Sequence, residues 1–146
     1  VASGAYQRAI VARRADALVR VRACPLFVPL VEEGWTDHPA THLVARTYLD
    51  DMRGDVDTLV LGCTHYPLLA PVIAEVMGPD VVLVDSAAET AEALARELES
   101  RALGAPSHDG PRVHRFVATD APEAFLRVGQ RFLGEALRDV EVVHFT

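Results

Sequence analysis

The chain has 146 residues, half of them apolar and 24% charged, with 21 acids against 14 bases for a net charge of -7. That length and balance suit one ordinary domain able to bury roughly two-thirds of its unfolded surface without staples, and they exclude a disordered tail, a low-complexity linker and a collagen-like fibre. No apolar run is long enough to span a bilayer, no secretory signal opens the chain, and scattered arginines in an acidic sequence form no phosphate-tracking stripe, so a cytoplasmic location with neither membrane nor nucleic-acid partner is expected.

Helical and strand-like segments of about ten residues alternate, the pattern of βαβ units and a mostly parallel sheet. Ala5, Ala9, Ile10 and Ala12 give a helix over about 3–15 a small-residue face. Leu18, Val19 and Val21 predict a strand over 17–23, ended at Cys24-Pro25 because the residue before a proline is pushed out of helix. Residues 26–34 read as an apolar loop closing on Glu32 and Glu33, and 36–39 lead into a helix to about Met52 that Gly54 stops. Residues 56–62 read as a buried central strand, Cys63-Thr64-His65-Tyr66 as the turn leaving its carboxyl end, and Pro67 as the first turn of a helix to about Met77. A short buried strand over 81–84 follows, then an S-x-x-E capping box, Ser86 and Glu89, opens a helix to about Ala102. Residues 103–111 are loop-like, 113–118 a strand, Asp120 to about Leu137 a last helix and 140–144 a terminal strand.

The chemistry concentrates in Leu59-Val60-Leu61-Gly62-Cys63-Thr64-His65-Tyr66-Pro67. In open α/β sheets ligands gather at the carboxyl ends of strands, here just ahead of a helix N-terminus whose free N–H groups attract a carboxylate. Strand geometry persisting through the turn would put the Cys63 thiol and the His65 imidazole on one side. Such a thiol would ionise more readily than a free cysteine, whose reference pKa is about 8.5, and could act as nucleophile or base. Gly62 lets another backbone or a ligand approach closely. The structural alternative makes Cys63 a buried small hydrophobe and His65 a capping residue. For Cys24, with no histidine or threonine after it, a packed thiol is the better reading.

Two cysteines are too few for a disulfide framework. A metal centre from Cys63, His65, His38 and His42 lacks any tight C-x-x-C or H-E-x-x-H unit, so no metal is expected. His108, His114 and His144 read as surface or strand-edge residues. Glu32 and Glu33 could orient a histidine or remain solvated charges, Asp85 could face the same crevice or serve helix capping with Ser86, and Arg13, Arg14, Arg20 and Arg22 read as a solvated basic face.

The string Leu61-Gly62-Cys63-Thr64-His65-Tyr66-Pro67-Leu68 resembles the second catalytic signature of bacterial glutamate racemases, in the Asp/Glu racemase superfamily. Residues 24–34, Cys24-Pro25-Leu26-Phe27-Val28-Pro29-Leu30-Val31-Glu32-Glu33-Gly34, resemble that family's C-P-x-F-V-P-L-V-E-x-G segment. Val84-Asp85-Ser86 with Glu89-Thr90-Ala91 resembles its later strand-to-helix step, and 116–134 its C-terminal segment.

The resemblance implies a cofactor-independent racemase that interconverts L- and D-glutamate by proton transfer between two cysteines, supplying D-glutamate to peptidoglycan. Cys63 would take the proton from L-glutamate, His65 would assist that thiol, Thr64 and His65 would bind substrate, and Glu32 would be an acid behind them. It implies an α/β fold of parallel-sheet, three-layer domains. By that template 1–85 form most of the second of two similar domains, and 86–146 return to complete the first. The family's D-S-G-x-G-G and A-C-N-T segments, the latter with the other catalytic cysteine, are missing, and the chain begins at Val1 rather than methionine. A C-terminal portion, inactive alone, is therefore expected. A racemase of aspartate or a hydantoin, a non-catalytic binding fragment and a homodimer stay open.

Overall fold

The structure, a computed structural model, describes residues 3–105, 110 and 113–144. Two compact units divide it, Val1–Ser86 and Ala87–Thr146.

The first unit opens with α1 (Ala5–Arg13), none of whose residues is buried. No strand follows. Residues 17–24 run without regular structure, Leu18 is 98% exposed, and the arginines of the expected basic face are exposed, Arg20 bonded to Asp55 at 2.9 Å and Arg22 to Asp51. The apolar alternation was correct for a strand, but a strand is made by a pairing edge, and none among the described residues takes it up.

The expected loop over 26–34 contains a helix, α2 (Phe27–Glu32). Pro29 does not prevent this helix. It sits in the first turn, where backbone N–H groups have no partner within the helix, so it costs no hydrogen bond. Phe27 and Val31, four apart, face the core, and Gly34 closes the segment at φ +82. Helix α3 (Pro39–Leu49) starts at His38, whose Nδ1 accepts the Ala40 N–H at 3.1 Å; Thr41, Ala45 and Leu49 form its buried stripe. A short 3-10 turn, Asp50–Met52, continues it.

Strand β1 (Thr58–Leu61), a 3-10 turn Tyr66–Leu69, α4 (Ala70–Met77) and β2 (Val82–Asp85) form a βαβ unit. The two strands are parallel, with Thr58 opposite Val82 and Leu61 opposite Asp85. Val72, Ile73, Val76 and Met77 are the buried face of α4, and Gly78, at φ +93, lets the chain leave the helix in a conformation that a side chain would strain. These residues close one core with Cys24, Phe27, Val31, Leu49, Met52, Leu61 and Leu69. Phe27, 1% exposed, contributes about 2–3 kcal/mol by leaving water.

Helix α5 (Ser86–Ser100) leads into the second unit, where β3 (Val117–Ala118) and β4 (Glu141–Val142) pair in parallel and Arg115 binds Glu141 through two bonds of 2.8 and 2.7 Å. Both strands are shorter than the sequence suggests. Helix α6 (Pro122–Leu133) ends in a 3-10 turn, Gly134–Ala136. Leu137 is buried against Gly129, while Leu94, Leu98, Phe125, Phe132 and Leu133 stay exposed. His108 and much of the expected loop over 103–111 lie outside the described residues. Among the described residues no helix is long and apolar enough to cross a membrane.

Candidate active site

Parallel strands end together, and this places the candidate residues. β1 stops at Leu61 and β2 at Asp85, its register partner, so Gly62-Cys63-Thr64-His65 leaves the carboxyl edge beside Asp85 and Ser86. The Ser86 hydroxyl donates to the Leu61 carbonyl at 3.0 Å and joins the two strand ends.

Strand geometry does not persist through Cys63. The Tyr66 N–H donates to the Cys63 carbonyl at 3.1 Å, the Leu68 N–H to the His65 carbonyl at 3.1 Å, and His65 has helical dihedrals, φ -80 and ψ -28. Cys63 to Tyr66 is thus a tight turn, and the every-second-residue argument for pairing thiol and imidazole does not apply to it. Cys63 is partly exposed.

The two ring nitrogens of His65 each meet an oxygen. Nε2 lies 3.4 Å from Glu32 Oε1, and Nδ1 lies 3.4 Å from Thr64 Oγ1. Glu32 comes from the last turn of α2, so the local helix the sequence reading missed carries the acid to the imidazole. Of the two adjacent glutamates it is Glu32 that meets His65. Such a carboxylate fixes the orientation and tautomer of an imidazole. The sequence-predicted Thr64, His65 and Glu32 are therefore brought together on the turn that also carries Cys63.

Cys24 stands apart. It is 5% exposed, and burial pushes its thiol up from the ordinary 9.0 to about 11, Arg22 opposing in part. A thiol so held carries little nucleophilic thiolate near neutral pH.

Two of the histidines weighed as metal ligands take separate contacts. His38 caps α3 and stacks on Trp35, ring centroids 4.3 Å apart; His42 Nε2 meets Asp37 at 3.0 Å and its Nδ1 meets Glu75 at 3.5 Å. Among the described residues no group of three or more His, Cys, Asp or Glu side chains is arranged to hold a metal ion.

Two contacts escaped the sequence reading. Tyr6 of α1 lies on Gly62, so near that a Cβ there would sit 3.4 Å from its ring; the glycine signalled a close approach but not by what. Tyr66 donates its phenol to the Cys24 carbonyl at 3.1 Å, and no local pattern marks so distant a pairing. Burial holds that phenol above its ordinary value, with the Cys24 and Cys63 thiols adding.

No family model matches the chain. Curated relatives do. A glutamate racemase of Geobacter metallireducens is 54% identical over 96% of this chain and 52% of its own length, and one of Neisseria meningitidis serogroup A is 48% identical over 98% and 53%. Among solved structures, glutamate racemase of Thermus thermophilus, in complex with beta-chloro-D-alanine, superposes at a TM-score of 0.82 with 45% identity, over 99% of this chain and 52% of that one. That of Francisella tularensis, in complex with D-glutamate, gives 0.85 with 33% identity, over 97% and 53%. The chain thus spans about half the length of the relatives it matches. By sequence and by α/β fold with parallel strands, it is related to the glutamate racemases across that half.

Proposed function

We propose that this chain carries one side of the active site of a cofactor-independent glutamate racemase that supplies D-glutamate for peptidoglycan. The observation that carries the reading is the turn at the carboxyl edge of β1, which carries Cys63 and, two residues on, a His65 held between Thr64 and Glu32. The D-glutamate in the Francisella tularensis relative supports an acidic amino acid as substrate.

Inverting Cα needs a base on one face and an acid on the other. Cys63, as thiolate, removes the Cα proton of L-glutamate, and a second thiol gives its proton to the opposite face; the reverse reaction exchanges their roles. His65, oriented by Glu32, assists Cys63. Thr64 offers its hydroxyl and N–H to the substrate. Cys24, buried with its thiol pushed up, is unfit as the second group, so that group belongs to residues outside these 146.

The same reading makes 1–85 most of the second of two similar domains and 86–146 the segment completing the first. The exposed Leu94, Leu98, Phe125, Phe132 and Leu133 support it, as faces that further chain would cover. They equally favour a second reading, a binding fragment; a clean monomer in analytical ultracentrifugation counts against that one.

The test is deuterium wash-in at Cα of glutamate, run in D2O with the protein at its native length. Exchange from both enantiomers is expected, and exchange from neither overturns the proposal. An aspartate and hydantoin panel on the same assay fixes the substrate. Residues 1–146 alone should racemise nothing, and full activity there would overturn the two-base assignment.

A further inference from the structure

Helix α2 is tied to the Cys63–Tyr66 turn at both of its ends. At its C-terminal end, Glu32 meets His65 at 3.4 Å. Ahead of its N-terminal end, the Tyr66 phenol donates to the Cys24 carbonyl at 3.1 Å, and the Leu26 N–H donates to the Tyr48 phenol at 3.4 Å. Between these two phenols sits Phe27, the first residue of the helix and 1% exposed. Its ring meets Tyr48 edge-on at 5.5 Å and 78°, and Tyr66 at 5.3 Å and 88°. Edge-to-face pairs of this kind prefer a defined angle and resist sliding.

Six residues of helix span about 9 Å. His65 and Tyr66 are neighbours in the chain, so the two ties lie on adjacent side chains of one turn and act on opposite ends of one short rigid rod. Moving the Cys24 end of that rod moves Glu32 with it.

We propose that Tyr66 is a positioning residue that sets the Glu32–His65 contact, acting through its phenol bond to the Cys24 carbonyl and its edge contact with Phe27. This rests on the reading of His65 as the residue assisting Cys63. Only a neutral phenol can donate to a carbonyl, and burial keeps Tyr66 neutral beyond its ordinary range, so the tie persists through neutral pH.

The test reads the ring 15N chemical shifts of His65 at one fixed pH, in the full chain labelled on histidine. Glu32→Gln defines the shift that follows loss of the carboxylate. Tyr66→Phe, which keeps the ring and removes the hydroxyl, is expected to move the His65 shifts in the same direction, and adding Glu32→Gln to it should move them little further. Phe27→Leu, which keeps apolar volume and removes the ring face, should do the same should Tyr66→Phe fail to fold. Val76→Ala is the control for general loosening, because it removes buried apolar volume on α4, which carries neither tie. His65 shifts left at wild-type values by Tyr66→Phe and Phe27→Leu would overturn the proposal, as would equal movement in Val76→Ala. The readout needs no turnover, so absence of Cα exchange would reject the racemase reading and leave this result standing on its own.

Discussion

The buried thiol of Cys24 should make the first unit lose stability in alkali. Its value is raised from the ordinary 9.0 to about 11, so the folded state favours the protonated thiol more than the unfolded chain does. The stabilisation is present in full below pH 9.0, where both states keep the proton, and drains away as the pH rises from there to about 11. The interval corresponds to about a hundredfold in the ionisation equilibrium, or about 2–3 kcal/mol of folding free energy. Tyr66, raised by burial as well, pulls in the same direction at higher pH, so the wild type by itself does not isolate the thiol. Cys24→Ala does. It deletes the titrating group together with its smaller contribution to the Tyr66 shift, while burial, the larger cause of that shift, stays in place, and the small cavity costs the same at every pH. Urea unfolding of both proteins between about pH 8 and pH 11 should show the wild type losing about 2–3 kcal/mol more than the variant. Parallel stability curves would refute the reasoning and place the thiol in contact with water. Timed alkylation followed by mass spectrometry gives an independent check, since Cys24 should react about a hundredfold more slowly than an ordinary thiol before burial adds its own protection.

Other outcomes follow from the same contacts. Phe27→Ala should cost about 3–5 kcal/mol by calorimetry or denaturant melts, because a fully buried ring between two tyrosines leaves a cavity that cannot collapse. Thr41→Val should cost about 1–3 kcal/mol, the hydroxyl bond to the Trp35 carbonyl being lost from a site with no exposure. Gly129→Ala would bring a Cβ within 2.3 Å of Leu137 Cδ2, and should cost about 1–3 kcal/mol, read by hydrogen exchange as loss of protection in the second unit. Glu32→Gln should change stability by less than about 1 kcal/mol, its carboxylate being half exposed, while lowering the Cα exchange rate of the native-length protein.

How much was legible in advance differs by element. The pattern of β1, α4 and β2 could be read directly, because apolar runs bounded by glycine and proline leave a buried βαβ unit little alternative. The Cys63-Thr64-His65 turn was legible too, since a polar triplet at the end of a buried strand is placed by the strand itself. Helix α2 was not: Pro29 argues against helix everywhere except in the first turn, and only the packing of Phe27 and Val31 showed that this was a first turn. Residues 17–23 erred in the opposite sense, for their alternation is local while a pairing edge is not.

The sequence by itself determined an α/β chain, a single thiol of interest in Cys63 and the family to which its motifs point. Tertiary structure decided which of two adjacent glutamates meets His65, that Cys24 is sealed away, and that Tyr66 and Tyr6 belong to the neighbourhood of the site. The physical reason is range. Strand ends, turns and helix starts are set by bonds between near neighbours, whereas Glu32 to His65 and Tyr66 to Cys24 are separated by tens of residues and become contacts only when α2 packs its buried face beside the turn.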